Sequence, residues 1–257
     1  MDFRELLHIM AKLRSEEGCP WDRIQTKESL KPYIIEEAYE LIEAIEENDP
    51  EKIKEELGDL LFQIVFQCRI AEEKGEFTAS DVIQGIGTKM TGRHPHVFGE
   101  TECRTPDEVI HQWEFLKQRE GKLRDSILEG VPRAMSSLLR AHRLQKRAAQ
   151  AGFDWERVED VLRKVDEEMR ELKEALQSGS RKAMEDELGD IFFMLVNLSR
   201  FMGINPEDAH RKTISKFIRR FRYIEMKAAE EEKRLSEMTL AEMDKLWDEA
   251  KEQESKE

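Results

Sequence analysis

The chain has 257 residues, of which 38% are charged and 39% hydrophobic, and its formal net charge at pH 7 is −14. A chain of this length can form two domains, each with a core of its own. Its excess of acidic residues argues against binding a nucleic-acid polymer, because the phosphate backbone would repel it. Proline and glycine are scarce, at 7 and 13 residues, which favours helical structure.

No segment is predicted to direct export or to cross a membrane. Residues 1–13 carry charges at helical spacing, unlike a signal or transit peptide. No apolar run approaches the roughly 20 residues that a membrane span needs. Cys19, Cys68 and Cys103 form no C-x-x-C pair, which argues against disulfides and a structural zinc, and Cys68 is predicted to be a buried thiol. A reducing, cytoplasmic location fits this pattern.

The first predicted helix hairpin bends at Glu47-Asn48-Asp49-Pro50. The helix after this turn is apolar nearly all round, which predicts that other helices enclose it. Its polar side chains, Glu56, Asp59 and Gln63, form a narrow strip. The apolar positions on its main face are Ile53, Leu57, Leu60, Leu61 and Ile64.

The second half of the chain repeats the first. Residues 35–62 align with residues 166–193 without a gap, and eleven of the 28 aligned pairs are identical. The second hairpin is predicted to bend at Ser178-Gly179-Ser180. Further along, the repeat pairs basic and tryptophan residues in the same order: Lys89 with Lys216, Arg93 with Arg220, and Trp113 with Trp247.

These patterns predict an all-α fold with two homologous helical-bundle domains in tandem, since no alternating β-branched run suggests a sheet. The first domain is predicted to span residues 1–120 and the second residues 133–257. Residues 121–132, which include Gly130 and Pro132, are predicted to be the linker.

Each hairpin is predicted to bring four carboxylates together. Glu37 and Glu40 lie three residues apart on one helix, as do Glu56 and Asp59 on the next, so each pair shares a helix face. Glu37 and Asp59 are equidistant from Asn48 in the turn, and so are Glu40 and Glu56. Four acids of the second hairpin are placed in the same way about Gly179: Glu168, Glu171, Glu187 and Asp190.

Four carboxylates at close range repel one another and favour a cation between them. Oxygen ligands suit a hard divalent ion, and Mg²⁺ is the expected cofactor, with Mn²⁺ as a substitute. A carboxylate-bound Mg²⁺ is commonly completed by phosphate. Lys216 and Arg220, four residues apart on one helix, are predicted to hold phosphate oxygens, and Trp247 to stack on a base. The sequence has no P-loop motif, so side chains and metal must hold the phosphates.

The acidic motifs resemble those of the MazG family of nucleoside triphosphate pyrophosphohydrolases. Glu36, Glu37 and Glu40 followed by Glu56-Leu57-Gly58-Asp59 form the motif once, and Glu167, Glu168 and Glu171 with Glu187–Asp190 form it again. The stretches Gly92–Phe98 and Lys216–Phe221 are also similar to those of two-domain members, so the resemblance covers nearly the whole chain.

The resemblance implies all-α domains that form a homodimer, dependence on Mg²⁺, and cleavage of a nucleoside triphosphate to the monophosphate and pyrophosphate. It implies that Glu168, Glu171, Glu187 and Asp190 bind metal, matched in the first copy by Glu37, Glu40, Glu56 and Asp59. Lys164, Lys216, Arg220 and Trp247 match substrate-binding positions. The catalytic residues are predicted to be Glu167, Glu168 and Glu171, with Glu167 as a candidate base for a metal-activated water. Because a tryptophan ring stacks on any base, broad base specificity is expected.

The two copies are not equivalent in sequence. Lys164 of the second copy is replaced by Tyr33 in the first, and Asn197 by Phe66. The second copy is therefore predicted to be the better catalyst, while the activity of the first is left open.

Three alternatives remain open at this point. A narrow dUTP or dCTP pyrophosphatase of the same superfamily is the nearest rival. A non-enzymatic helical scaffold, with the acids serving solubility, is a second. A di-iron carboxylate bundle is a third, because three glutamate–histidine pairs have the required spacing, although none recurs in the other copy: Glu5/His8, Glu108/His111 and Glu207/His210.

Overall fold

The computed structural model describes residues 2–106, 108, 109, 112, 113, 116 and 126–254. Within these ranges the regular elements are helices and no β-strand occurs, which confirms the predicted all-α fold. The chain divides into two compact units, residues 1–122 and 123–257. The division falls in the region of the predicted linker, but residues 121–125 lie outside the described residues, so the predicted domain boundaries stay a prediction.

The first unit is built around a long helix hairpin. Asp2 begins its first helix in a capping box with Glu5, and Asp49 caps the second arm of the hairpin by accepting from the N–H groups of Glu51 and Lys52 at 3.0 and 3.3 Å. The helices described in this unit are α1 (Phe3–Leu13), α2 (Pro20–Ile24), α3 (Lys31–Glu47), α4 (Pro50–Glu73), α5 (Ala79–Arg93) and α6 (Pro95–Phe98).

The core of this unit forms where α1 and the hairpin meet. Met10, Leu30 and Phe66 are among its largest buried side chains, joined by Val65 and Ile70. Cys68 is also buried, as predicted. The core therefore holds the C-terminal half of α4, while the half next to the turn carries the acids Glu56 and Asp59.

The second unit repeats this arrangement. Its hairpin arms, α8 (Val158–Ser178) and α9 (Arg181–Phe201), pack along each other, and Val161, Ile191 and Val196 are buried there. The elements described in this unit are α7 (Ser137–Gln150), α8 (Val158–Ser178), α9 (Arg181–Phe201), α10 (Pro206–Glu230), a 3₁₀ turn (Leu235–Glu237) and α11 (Leu240–Glu254).

Both hairpins bend at the predicted residues, and both turns use the left-handed backbone region. Asn48 ends α3 with φ of 54°, and Gly179 ends α8 with φ of 69°. Asparagine and glycine are the residues that most easily take this conformation at a helix C-terminus. The turn residues thus fix the register in which the arms of each hairpin face each other.

The prediction that other helices enclose α4 is wrong for the single chain. Leu57, Leu61 and Ile64 lie on one face of α4 and are 38–51% exposed. The same face of α9 is equally uncovered, because the corresponding residues are 45–55% exposed: Leu188, Phe192 and Leu195. Apolar periodicity identified the stripe correctly, but it cannot say whether the chain itself covers it.

The end of the predicted linker is packed against the second unit. Arg147 on α7 donates to the backbone carbonyls of Ile127, at 3.3 Å, and of Glu129, while Val131 is buried. This segment therefore belongs structurally to the second unit rather than to a free connection.

Among the described helices, none is long and apolar enough to cross a membrane.

Candidate functional site

The first hairpin brings its acids together beside the turn. One carboxylate oxygen from each of Glu37, Glu56 and Asp59 lies within 4.8 Å of the others. Burial, and then the charges of Asp59 and Glu40, raise the pKa of Glu37. Burial and the charges of Glu40 and Asp59 likewise raise the pKa of Glu56. The charge of Glu40 therefore acts on the trio of Glu37, Glu56 and Asp59.

A buried amide lies beside this first cluster. Gln63 is 8% exposed, and its Nε2 lies 3.5 Å from Oε1 of Glu37, to which it donates. The amide oxygen of Gln63 is buried without a hydrogen-bond partner. The predicted polar strip on α4 thus leads from the acids to an oxygen atom that has no partner.

The second hairpin repeats the cluster with a different trio at its centre. Oxygens of Glu168, Glu171 and Glu187 lie within 4.8 Å of one another, and Glu168 is only 5% exposed. Burial raises the pKa of Glu187, and the charges of Glu171, Glu168 and Asp190 raise it further. Asp190, although exposed, therefore acts on the cluster as the fourth member.

The donor set and spacing of both clusters fit a hard divalent cation. Two oxygens on opposite sides of an octahedral Mg²⁺ are about 4.2 Å apart, close to the 4.8 Å that bounds each trio. Burial first, and then the charges of neighbouring acids, raise the pKa values of Glu37 and Glu187, so a cation among the carboxylates would favour their charged forms. Small side-chain rotations would bring the oxygens to coordination distance, so the residues present suit the predicted ion.

The second cluster has a cation of its own. Nζ of Lys164 lies 2.8 Å from Oε1 of Glu167 and 2.8 Å from Oε1 of Glu168. These contacts raise the pKa of Lys164 above its usual range and lower that of Glu167. Glu167, the candidate base, is therefore a weaker proton acceptor while it is paired with Lys164. The spacing of three and four residues along one helix was a signal for this pairing in the sequence.

The basic helix and the tryptophan form a second group in the same unit. The guanidinium of Arg220 lies 5.4 Å from the ring centre of Trp247, and Phe217 packs on that ring at the same distance. Lys216 is exposed. Among the described residues, no hydrogen bond or ion pair joins this group to Lys164 and the acids. The structure thus places the predicted substrate residues in two groups.

Sequence reasoning missed one member of this group. Glu254, on α11, accepts from Nε and Nη2 of Arg220 at 2.9 and 2.7 Å and from Nε of Arg219 at 2.7 Å. The two guanidinium groups lower the pKa of Glu254. Because Glu254 is more than 30 residues from both arginines, no local spacing in the sequence could reveal the contact.

The first unit contains the counterpart of this group. Arg93 is 9% exposed, and its guanidinium lies 5.5 Å from the ring centre of Trp113. His94 meets the same ring edge-on at 4.8 Å. The cation–π pair of Arg220 and Trp247 is therefore repeated, which agrees with the pairing read from the sequence.

At the position of Lys164, the first unit has an aromatic contact instead. Tyr33 is 37% exposed and packs edge-on against Trp21, with ring centres 5.9 Å apart. The first cluster therefore lacks the ammonium group that pairs with Glu167 and Glu168 in the second.

The di-iron alternative finds no support in the described residues. There, the acid clusters that could hold a metal are the two in the hairpins, and neither contains a histidine. His111 of the pair Glu108/His111 lies outside the described residues.

Comparison with known domains decides the family. The model of the MazG nucleotide pyrophosphohydrolase domain matches residues 25–98 and again residues 156–224. The chain belongs to the MazG family. Each match contains one complete acid cluster, so the repeat is a tandem pair of MazG domains. Membership makes the chain an enzyme, a hydrolase that acts on phosphoanhydride bonds.

Relatives are similar to this chain over nearly its full length. The nucleoside triphosphate pyrophosphohydrolase/pyrophosphatase MazG of Thermotoga maritima is 47% identical over 250 residues, covering 97% of this chain and 95% of the relative. A nucleoside triphosphate pyrophosphohydrolase of Escherichia coli K12 is 40% identical and covers 97% of each chain. Among solved structures, a mazG-related protein from Thermotoga maritima is 29% identical, with a TM-score of 0.39, over 45% of this chain and 98% of its own.

Proposed function

We propose that this MazG protein hydrolyses nucleoside triphosphates between the α- and β-phosphates, giving a nucleoside monophosphate and pyrophosphate, in a reaction that depends on Mg²⁺. One observation carries the proposal: each hairpin gathers carboxylate oxygens within 4.8 Å in a site suited to a divalent ion. The nearly full-length relatives named nucleoside triphosphate pyrophosphohydrolases support the substrate class.

The acids of the second unit are the proposed ligands of the working site: Glu168, Glu171, Glu187 and Asp190. When bound, Mg²⁺ supplies charge neutralisation for the triphosphate and lowers the pKa of a bound water. Mn²⁺ is expected to substitute, because it accepts the same oxygen ligands. The matching acids of the first unit are proposed to bind a divalent ion as well: Glu37, Glu40, Glu56 and Asp59.

The cations of the second unit are proposed to bind the phosphates. Lys164 has a flexible stem and is 31% exposed at its side chain, so it can turn from the acids to a phosphate oxygen. Arg220 now binds Glu254 through two N–H groups, an arrangement equally suited to a phosphate. Lys216, one turn away, adds a further exposed ammonium group. These cations stabilise negative charge on the departing pyrophosphate.

Glu167 is the proposed proton acceptor for the attacking water. Its contact with Lys164 holds its pKa low, and that contact is lost when Lys164 turns to the triphosphate. Glu167 then becomes a stronger base at the moment the substrate is in place. Substrate binding and activation of the base are thus coupled through a single lysine.

Trp247 is proposed to stack on the nucleobase, which gives broad base specificity, because every base presents a π-face. A narrow dUTP or dCTP enzyme would need additional polar contacts to base edges.

The exposed stripes on α4 and α9 favour the expected homodimer, because each repeat leaves the same apolar positions uncovered.

The test is product analysis with a panel of ribo- and deoxyribonucleoside triphosphates in water enriched in oxygen-18. The proposal predicts a monophosphate and pyrophosphate from several bases, with the heavy oxygen in the monophosphate, and no reaction in a chelator. Glu187→Gln serves as the inactive control. A diphosphate and inorganic phosphate as products would contradict the bond assigned, and turnover of a single pyrimidine nucleotide would contradict broad specificity. Absence of both hydrolysis and Mg²⁺-dependent stabilisation would favour the scaffold alternative.

A further inference from the structure

The two acid clusters differ in the charge beside them. In the second unit, the ammonium group of Lys164 lies 2.8 Å from oxygens of both Glu167 and Glu168. In the first unit the corresponding residue, Tyr33, is uncharged and packs against Trp21. The second cluster thus has an ammonium group in direct contact with its carboxylates. Near the first cluster, the charge of Lys52, which is paired with Glu47, only partly offsets the effects that raise the pKa of Glu56.

The first cluster has a neutral oxygen where the second has none. Gln63 is more than nine-tenths buried, donates to Glu37, and has an amide oxygen without a partner. The residue that corresponds to it in the second unit is Met194, which is also buried. An amide oxygen is a ligand for hard cations, directly or through water. The first cluster therefore has a buried polar amide beside it where the second has an apolar side chain.

The second site is less favourable for a divalent cation when no substrate is bound. Glu168 is 5% exposed, so its charge needs a partner, and Lys164 is that partner. An incoming divalent ion meets a like charge that is already bound to one of its ligands. A triphosphate removes the conflict, because its oxygens accept Lys164 and leave Glu168 to the metal.

We propose that the two clusters bind divalent cations under different conditions, with Lys164 as the residue that sets the difference. The first site takes its ion without nucleotide, and the second takes its ion together with the triphosphate. The inference rests on the proposed function, because it assumes that both clusters are metal sites. By linkage, the nucleotide and the metal then strengthen each other's binding at the second site.

The experiment titrates the full-length protein with Mn²⁺ and follows the free ion by its electron paramagnetic resonance signal. Without nucleotide, we expect one tight and one weak class of site, with dissociation constants at least about fivefold apart, within the usual range of coupling between sites. Glu56→Gln should remove the tight class, and Glu187→Gln the weak one. A triphosphate analogue with a methylene bridge between the α- and β-phosphorus should tighten the weak class in the wild type.

Substitutions at Lys164 and at Tyr33, the corresponding residue of the first unit, test whether the charge at this position causes the difference in metal affinity. Lys164→Met should tighten the weak class without nucleotide and reduce the further effect of the analogue. Tyr33→Lys should weaken the tight class. Lys173→Met, which removes an exposed charge from the same helix as Lys164, and Tyr33→Phe, which keeps the ring against Trp21, are the controls. Circular dichroism verifies folding, and if Tyr33→Lys does not fold, the Lys164→Met result decides.

Equal affinities at the two clusters, or a weak class that Lys164→Met leaves unchanged, would overturn the inference, as would a failure of either cluster to bind Mn²⁺. The outcome is separable from that of the proposed function. Hydrolysis to monophosphate with two equal, unresponsive metal sites leaves the function standing and removes the inference. Unequal metal affinities that respond to Lys164→Met, with no hydrolysis of any nucleotide, would support the inference and contradict the proposed function.

Discussion

The two hairpins have one geometry and two electrostatic environments. In both, a turn residue in the left-handed region sets the register of the two helices, and acids on the facing helices lie side by side. The second hairpin adds Lys164, while the first has Tyr33 at that position. The turn and the helix period assemble the acids in both units, whereas the surrounding cations differ and mark the second site as the one expected to be active. Duplication preserved the acids and let these neighbours diverge.

The largest effect is expected from removing an acid of the second cluster. Asp190→Asn or Glu171→Gln should lower triphosphate hydrolysis by about 10²–10³-fold, the cost typical of losing a group that stabilises transition-state charge. The matched changes in the first unit, Asp59→Asn and Glu40→Gln, should leave turnover nearly unchanged. Initial rates with circular dichroism as the folding control provide the measurement. A larger loss from the first-unit changes would reverse the ranking of the two sites.

The next effect concerns the two tryptophans. Trp247→Ala should raise KM about tenfold with little change in kcat, because stacking on a base contributes on the order of 1–3 kcal/mol. Trp113→Ala, which removes the ring that lies beside Arg93, serves as the matched change and should leave KM unaltered. Steady-state kinetics with two different bases measures both. An equal rise in KM for the two variants would show that both units bind substrate.

The turns offer a smaller, structural contrast. Gly179→Ala should lower the free energy of unfolding by about 1 kcal/mol, because φ of 69° strains a residue with a Cβ atom. No atom lies within 4 Å of the added Cβ, so the cost is conformational. Asn48→Gly at the matched turn should change stability by only a few tenths of a kcal/mol, because asparagine already tolerates this region. Chemical denaturation measures both, and a larger loss at Asn48 would contradict this explanation.

The smallest effect is a dependence of stability on pH in the absence of metal. The pKa values of Glu37, Glu56 and Glu187 are raised in the folded chain, so folding favours their protonated forms. Their contribution to stability is therefore lost as the pH rises through the raised pKa values, and it returns as the pH falls through them towards the ordinary pKa of glutamate, about 4.3. His142, whose pKa is lowered by burial and nearby cations, acts in the opposite direction.

The variant Glu37→Gln separates these contributions. In a chelator, the difference in melting temperature between wild type and Glu37→Gln should shrink as the pH falls, and added Mg²⁺ should shrink it at neutral pH. Glu187→Gln should show a weaker dependence, because Lys164 already offsets charge in its cluster. A difference that grows as the pH falls would have the wrong sign for repulsion among the acids.

The sequence was sufficient for the hairpins and for the acid clusters. Asn48 before Asp49 and Pro50, and Gly179 before Ser180, are strong local signals for a helix end, and the helix period does the rest. The repeat also matched Arg93 to Arg220 and Trp113 to Trp247, whereas the contact between the arginine and the tryptophan of each unit came from the structure. Local rules with a fixed period were therefore enough to predict most of the fold and the two acid clusters.

The features that could not be predicted from the sequence depend on contacts between elements that are distant in the chain. Glu254 binds Arg219 and Arg220 across two helices whose mutual register no motif encodes. The exposure of Leu57 and its neighbours was predicted wrongly, because an apolar stripe has the same pattern whether the chain or a partner covers it. The pairing of Lys164 with Glu168 was within reach of the spacing rules, but spacing alone does not reveal that Glu168 is buried.

The most direct test of the central claim is anomalous X-ray diffraction from crystals grown with Mn²⁺ and the methylene-bridged triphosphate analogue. A manganese peak is expected among Glu168, Glu171, Glu187 and Asp190, in contact with the phosphates of the analogue. Crystals without manganese, measured in the same way, provide the control. A structure in which the analogue binds but no manganese peak touches these carboxylates would contradict the account.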